Sequence, residues 1–118
     1  MHGLHLIADL RDCALPMPTL AALRERLLRE IAACGLTPVG EAFHRFAPDE
    51  AGGITGVVLL AESHLAVHTW PELKAVTLDV YVCNFGADNS GRAEALMAAL
   101  IEGFAAGSVA YQRVERGR

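Results

Sequence analysis

The stretch from Ile54 to Cys83 leaves the chain little choice of architecture. Ile54 to Leu60 is an apolar run, His64 to Thr69 is a second strand-like segment, and Lys74 to Cys83 is a third. In the third, Val76, Leu78, Val80 and Val82 take one face and Thr77, Asp79, Tyr81 and Cys83 the other, which is the period of a half-buried strand. Only Ala61-Glu62-Ser63 separates the first two segments, so that step is a tight turn or a kink between neighbouring strands. Trp70-Pro71-Glu72 breaks the pairing again, because proline has no N–H to give to a ladder.

The remaining segments fit around this block. Gly3 to Leu10 reads as a first strand and Asp12 to Pro18 as a connection. Thr19 is placed to cap a helix running to about Cys34. Leu20, Leu23, Leu27, Ile31 and Cys34 form one apolar face of it, with Arg24, Glu25, Arg29 and Glu30 largely opposite. Gly35 is a natural stop. Thr37 to Phe46 is a further strand, and Ala47 to Gly53, with Pro48, Asp49 and two glycines, is a loop. After a loop from Asn84 to Asn89, Ser90 opens a second helix with Leu96, Met97, Leu100, Ile101 and Phe104 as its buried stripe. Gly107 to Val114 is the last strand. The order β-α-β-β-β-β-α-β predicts an α/β (α+β) two-layer sandwich, a largely antiparallel sheet with both helices on one face.

A chain of 118 residues is one domain, 1–118. Its 53% hydrophobic and 20% charged content excludes a disordered chain. A net charge of −4 with scattered arginines argues against a nucleic-acid partner. No apolar run approaches the ~20 residues of a membrane span, and the N-terminus does not read as a signal peptide. Cys13, Cys34 and Cys83 are odd in number and form no CxxC pair, which suits reduced cysteines in a cytoplasmic protein.

The candidate chemistry crowds into Glu62 to Cys83, and this concentration suggests one site. Metal binding does not fit. His64 and His68 share a strand face but stand roughly 13 Å apart at ~3.3 Å per residue, and His2 and His5 fall near an end expected to be mobile. There is no GxSxG for a serine hydrolase. Cys83 with His68 offers a nucleophile and base. Taken singly, Ser63 reads as a turn serine, His68 as a half-buried histidine, Cys83 as a small apolar residue, and Phe46 and Trp70 as core aromatics.

Taken together, Glu62-Ser63-His64-Leu65-Ala66-Val67-His68-Thr69-Trp70-Pro71-Glu72 resembles the self-cleavage segment of the bacterial and archaeal S-adenosylmethionine decarboxylases, a pyruvoyl-dependent family of polyamine synthesis. The resemblance extends through Gly3-Leu4-His5-Leu6, Phe43-His44-Arg45-Phe46, Gly56-Val57-Val58 and the strand ending at Cys83. It implies a two-layer sandwich that dimerises. It implies cleavage between Glu62 and Ser63 into a β chain of 1–62 and an α chain of 63–118, with Ser63 becoming a pyruvoyl group that forms a Schiff base with the substrate amine. It further implies that Thr55 stabilises the processing oxyanion, that His68 is the base of the elimination step and that Cys83 is the general acid of decarboxylation. Phe46 and Trp70 are expected to hold adenine, and Glu72 the ribose hydroxyls. The expected substrate is S-adenosylmethionine, giving the aminopropyl donor for spermidine synthesis, with no metal. Ornithine or arginine decarboxylation on the same fold stays open, since Glu72 could meet a distal cation. An unprocessed, non-catalytic regulatory relative also stays open.

Overall fold

The computed structural model describes residues 2–14, 16–46 and 52–117. The elements are β1 (Gly3–Cys13), α1 (Leu20–Ala33), β2 (Pro38–Arg45), β3 (Ile54–Leu60), β4 (Ser63–Trp70), a 3-10 turn (Pro71–Leu73), β5 (Ala75–Cys83), α2 (Ser90–Phe104) and β6 (Ala106–Arg116). They make one six-stranded sheet in the order β2-β3-β4-β5-β1-β6, antiparallel at every pairing. Positions 47–51 of the expected 47–53 loop lie outside the described residues.

The sheet is two-faced because its strands alternate. Leu4, Leu6, Ala8 and Leu10 of β1, Leu65 and Val67 of β4, and Val76, Leu78, Val80 and Val82 of β5 are all buried. They meet Leu23, Leu27 and Ile31 of α1 and Leu96, Met97, Leu100 and Phe104 of α2 in one core. Both helices therefore cover the same side. Local chemistry fixes the helix ends. The Thr19 hydroxyl accepts the Ala22 N–H at 3.2 Å, and Gly35 takes the positive φ of 80° that follows α1. The strand expected over Lys74 to Cys83 starts its pairing at Ala75, one residue later, because Lys74 closes the 3-10 turn in a left-handed conformation. β1 runs beyond its expected end at Leu10, since the Cys13 and Ala14 N–H groups donate to Lys74 and Ala105 carbonyls.

No described element covers the opposite face. It presents His5 and Ile7 of β1, Thr55, Val57 and Leu59 of β3, His64, Ala66 and His68 of β4, and Thr77, Asp79, Tyr81 and Cys83 of β5. His5 corrects an expectation. It lies on an interior strand between β5 and β6, not at a loose end. Its Nε2 is 3.1 Å from Asp79 Oδ1 and its Nδ1 3.4 Å from the Arg116 guanidinium. Arginine has no acceptor, so Nδ1 is the accepting nitrogen and Nε2–H donates to Asp79.

Candidate functional site

The turn between β3 and β4 is a two-residue hairpin: Leu60 pairs with Ser63, and Ala61 and Glu62 form the tip. Two-residue hairpins match the strand twist best when their tip residues have φ > 0. Neither Ala61 nor Glu62 has it; the positive φ, 152°, falls on Ser63. An L-residue rarely adopts that value, and such conformations cost on the order of 1–3 kcal/mol. The strain is therefore stored on the residue that follows the Glu62–Ser63 peptide bond.

Three hydrogen bonds keep the turn from relaxing. Thr37 donates its N–H to Glu62 Oε1 at 3.0 Å, and the Ala61 N–H donates back to the Thr37 carbonyl at 2.8 Å. On the other side, the Cys83 N–H donates to the main-chain carbonyl of Glu62 at 2.8 Å. Ser63, Glu62 and Cys83 thus meet at one end of the central strands. The Cys83 amide is a donor already aimed at the carbonyl a Ser63 hydroxyl would attack. Sequence reasoning missed it, because a backbone N–H has no residue signature.

A second group gathers at the other end of the same strands. Thr55 pairs with His68 across β3 and β4, and Thr55 Oγ1 lies 3.0 Å from His68 Nδ1. The His68 ring stacks against Trp70 at 5.8 Å between centroids, with 28° between planes. His44 is opposite Thr55 on β2, and Phe46 meets its ring edge-on at 4.7 Å. Phe46 is 69% exposed and Trp70 37%, so neither is a core aromatic. Glu72 is exposed on the 3-10 turn just beyond Trp70. An open groove of about 460 Å³ runs past Trp70, lined by Asp9, Arg11, Asp12, Leu73 and Thr77 among others.

The residues expected to form one site therefore fall into two groups at opposite ends of the same strands. Ser63 and His68 are five residues apart on β4, roughly 16 Å at ~3.3 Å per residue. Thr55 is equally far along β3 from the turn.

The three cysteines are all free but differ in setting. Cys13 is buried, and burial, helped by Asp12, pushes its thiol up. Burial pushes Cys34 up as well, with Glu30 adding to it. Cys83 is half-buried on the bare face beside the strained turn. Among the described residues no three His, Cys, Asp or Glu side chains group closely enough for a metal ion. No described helix is long and apolar enough to cross a membrane.

Fold and turn geometry together define a small antiparallel α/β sandwich with backbone strain at the serine of the β3–β4 turn. Comparison with known proteins gives the family. The family model described as S-adenosylmethionine decarboxylase matches residues 4–117, and the chain belongs to that family. A relative from Symbiobacterium thermophilum, named S-adenosylmethionine decarboxylase proenzyme, is 37% identical over 117 residues, 98% of this chain and 83% of its own. A relative of the same name from Aquifex aeolicus is 43% identical over 82 residues, 69% of this chain but only 58% of its own length. The crystal structure of the adenosylmethionine decarboxylase from Aquifex aeolicus superposes with a TM-score of 0.86 at 35% identity, covering 98% of this chain and 91% of that one.

Proposed function

We propose that the chain is a proenzyme that cuts itself between Glu62 and Ser63 and then decarboxylates S-adenosylmethionine. The product is an aminopropyl donor of the kind that spermidine synthesis consumes. The observation that carries the reading is the Glu62–Ser63 bond itself, with strain on Ser63 and a hydrogen-bond donor on the Glu62 carbonyl.

The cut needs no added reagent but water. The Ser63 hydroxyl attacks the Glu62 carbonyl, its oxygen bonds to that carbon, and the C–N bond breaks to give an ester and a free amine. The uphill part of this shift is lessened by strain already present in the ground state. The oxyanion forms where the Cys83 N–H already points. A base then removes the Ser63 α-proton, and Glu62 leaves as a carboxylate. Hydrolysis of the remaining dehydroalanine releases ammonia and leaves the pyruvoyl group. These residues suit that group: Ser63 supplies its atoms and Cys83 stands beside it. Once formed, its ketone supplies an electron sink for the pair left behind by CO₂. Cys83 then returns a proton to the substrate carbon.

His68, the base, and Thr55, its hydroxyl partner, are too far from Ser63 to act within one chain. A second copy supplies them. When two bare faces stack about a two-fold axis, the Thr55–His68 end of one sheet lies over the Ser63–Cys83 end of the other, and both sites form at once. Ile7, Val57, Leu59 and Ala66 supply apolar area for the contact. In this homodimer Phe46, Trp70 and Glu72 come from the subunit that lends His68, and they take the adenine and the ribose. Free thiols suit a reducing, cytoplasmic setting.

Co-expression tests the arrangement. Ser63→Ala and His68→Ala chains each stay uncut alone. Together they give mixed dimers with one complete site, and about half of the His68→Ala chains are cleaved on random pairing. No cleavage in the mixture refutes the shared site. CO₂ release from carboxyl-labelled S-adenosylmethionine, ornithine and arginine then settles the substrate, and turnover of only the last two overturns it.

A further inference from the structure

Processing changes one charge in the neighbourhood of Cys83. Before the cut, the Glu62 carbonyl is neutral and accepts the Cys83 N–H at 2.8 Å. After the cut, the same carbon carries a carboxylate, which is a stronger acceptor for that same donor. The Glu62 side chain keeps its own anchor on the Thr37 N–H at 3.0 Å, so the new chain end stays where it was made.

We propose that self-cleavage tunes Cys83 for its role, because the Glu62 terminal carboxylate it creates stays on the Cys83 amide and holds the neighbouring thiol protonated. This rests on the processing reading above. An acid must hold its proton until the electron pair arrives, whereas a thiolate has nothing to give. A carboxylate bonded to the residue's own N–H lies about 4–6 Å from its sulfur, close enough for a like charge to disfavour ionisation. Before cleavage no such charge exists.

Other titratable groups are brought near Cys83 by strand register and loop position, and the partner's His68 by the proposed dimer, but cleavage leaves their charges alone. Glu62 contributes its side chain and His64 a ring from the β3–β4 hairpin. His5 comes from β1, Arg116 from β6, and Tyr81 from the same strand. His2 precedes β1, and Asp88 lies in the loop after β5. Gly3, directly across from Cys83, brings no side chain. A comparison of cut and uncut chains therefore isolates the new carboxylate and the new ketone, and chemical reduction separates those two.

The experiment measures iodoacetamide alkylation of Cys83 against pH, with mass spectrometry of the Cys83 peptide excluding Cys13 and Cys34. Three forms are compared: uncut Ser63→Ala, the mature enzyme, and mature enzyme whose ketone has been reduced with borohydride. The expected midpoint is roughly one pH unit higher in the mature form, a tenfold slower alkylation below it, and the rise survives reduction. Coincident midpoints overturn the proposal, as does a rise that vanishes with the ketone. A wild-type chain that never cleaves is recognised on a gel before any titration and overturns the processing reading with it. Coincident midpoints in a cleaved chain overturn this proposal alone.

Discussion

The two ends of β3 and β4 are built from the same strands yet store their chemistry differently. At the Ser63 end the distinguishing features are main-chain, a strained φ, a carbonyl and the amide that holds it, beside the Ser63 hydroxyl and the Cys83 thiol. At the His68 end they are side chains in relaxed strand geometry, Thr55 bonded to His68 and His68 stacked on Trp70. In the proposed function the strained Ser63 backbone rearranges once, whereas Cys83 beside it and the aromatics at the other end serve every turnover.

Substitutions at the two ends should separate these roles. The largest effect is expected at the strained end: Ser63→Ala abolishes both cleavage and CO₂ release, and a denaturing gel shows one full-length band. Two bands from that variant would break the comparison at its root. Cys83→Ala should come next. Its backbone N–H remains, so cleavage continues, while CO₂ release falls by ~10²–10⁴-fold for want of the acid. Full activity would return the side chain to packing and leave only the amide with a role. The smallest effect belongs to the relaxed end's aromatics. Phe46→Ala or Trp70→Ala should lower kcat/KM for S-adenosylmethionine roughly tenfold each, the scale of one lost stacking or cation–π contact, with the gel pattern unchanged. An equal loss of cleavage would mean that Trp70 serves His68 more than the substrate.

Much of this was legible in the residues. The alternation of Val76, Leu78, Val80 and Val82 and the stripe of Leu23, Leu27 and Ile31 report local burial, and the structure buries them all. Strand order was not legible. β1 inserts between β5 and β6, and a pairing across so many residues leaves no local pattern. The separation of Ser63 from His68 was within reach. The arithmetic that keeps His64 and His68 from sharing a metal also separates Ser63 from His68. Motif proximity hid it, because residues close in sequence are far apart on an extended strand. The exposure of Phe46 and Trp70 was hidden for another reason: large aromatics are usually buried, and only tertiary structure shows which face they take.

The strand order has one more consequence. A cut after Glu62 puts β1, β2 and β3 in one fragment and β4, β5 and β6 in the other. In the sheet, β1 of the first fragment is clasped between β5 and β6 of the second, while β3 of the first flanks β4. The pieces are woven together, not laid side by side, so neither owns a core. In the proposed mature form each protomer would be two chains that had folded as one, and once unfolded its return would require those two chains to meet.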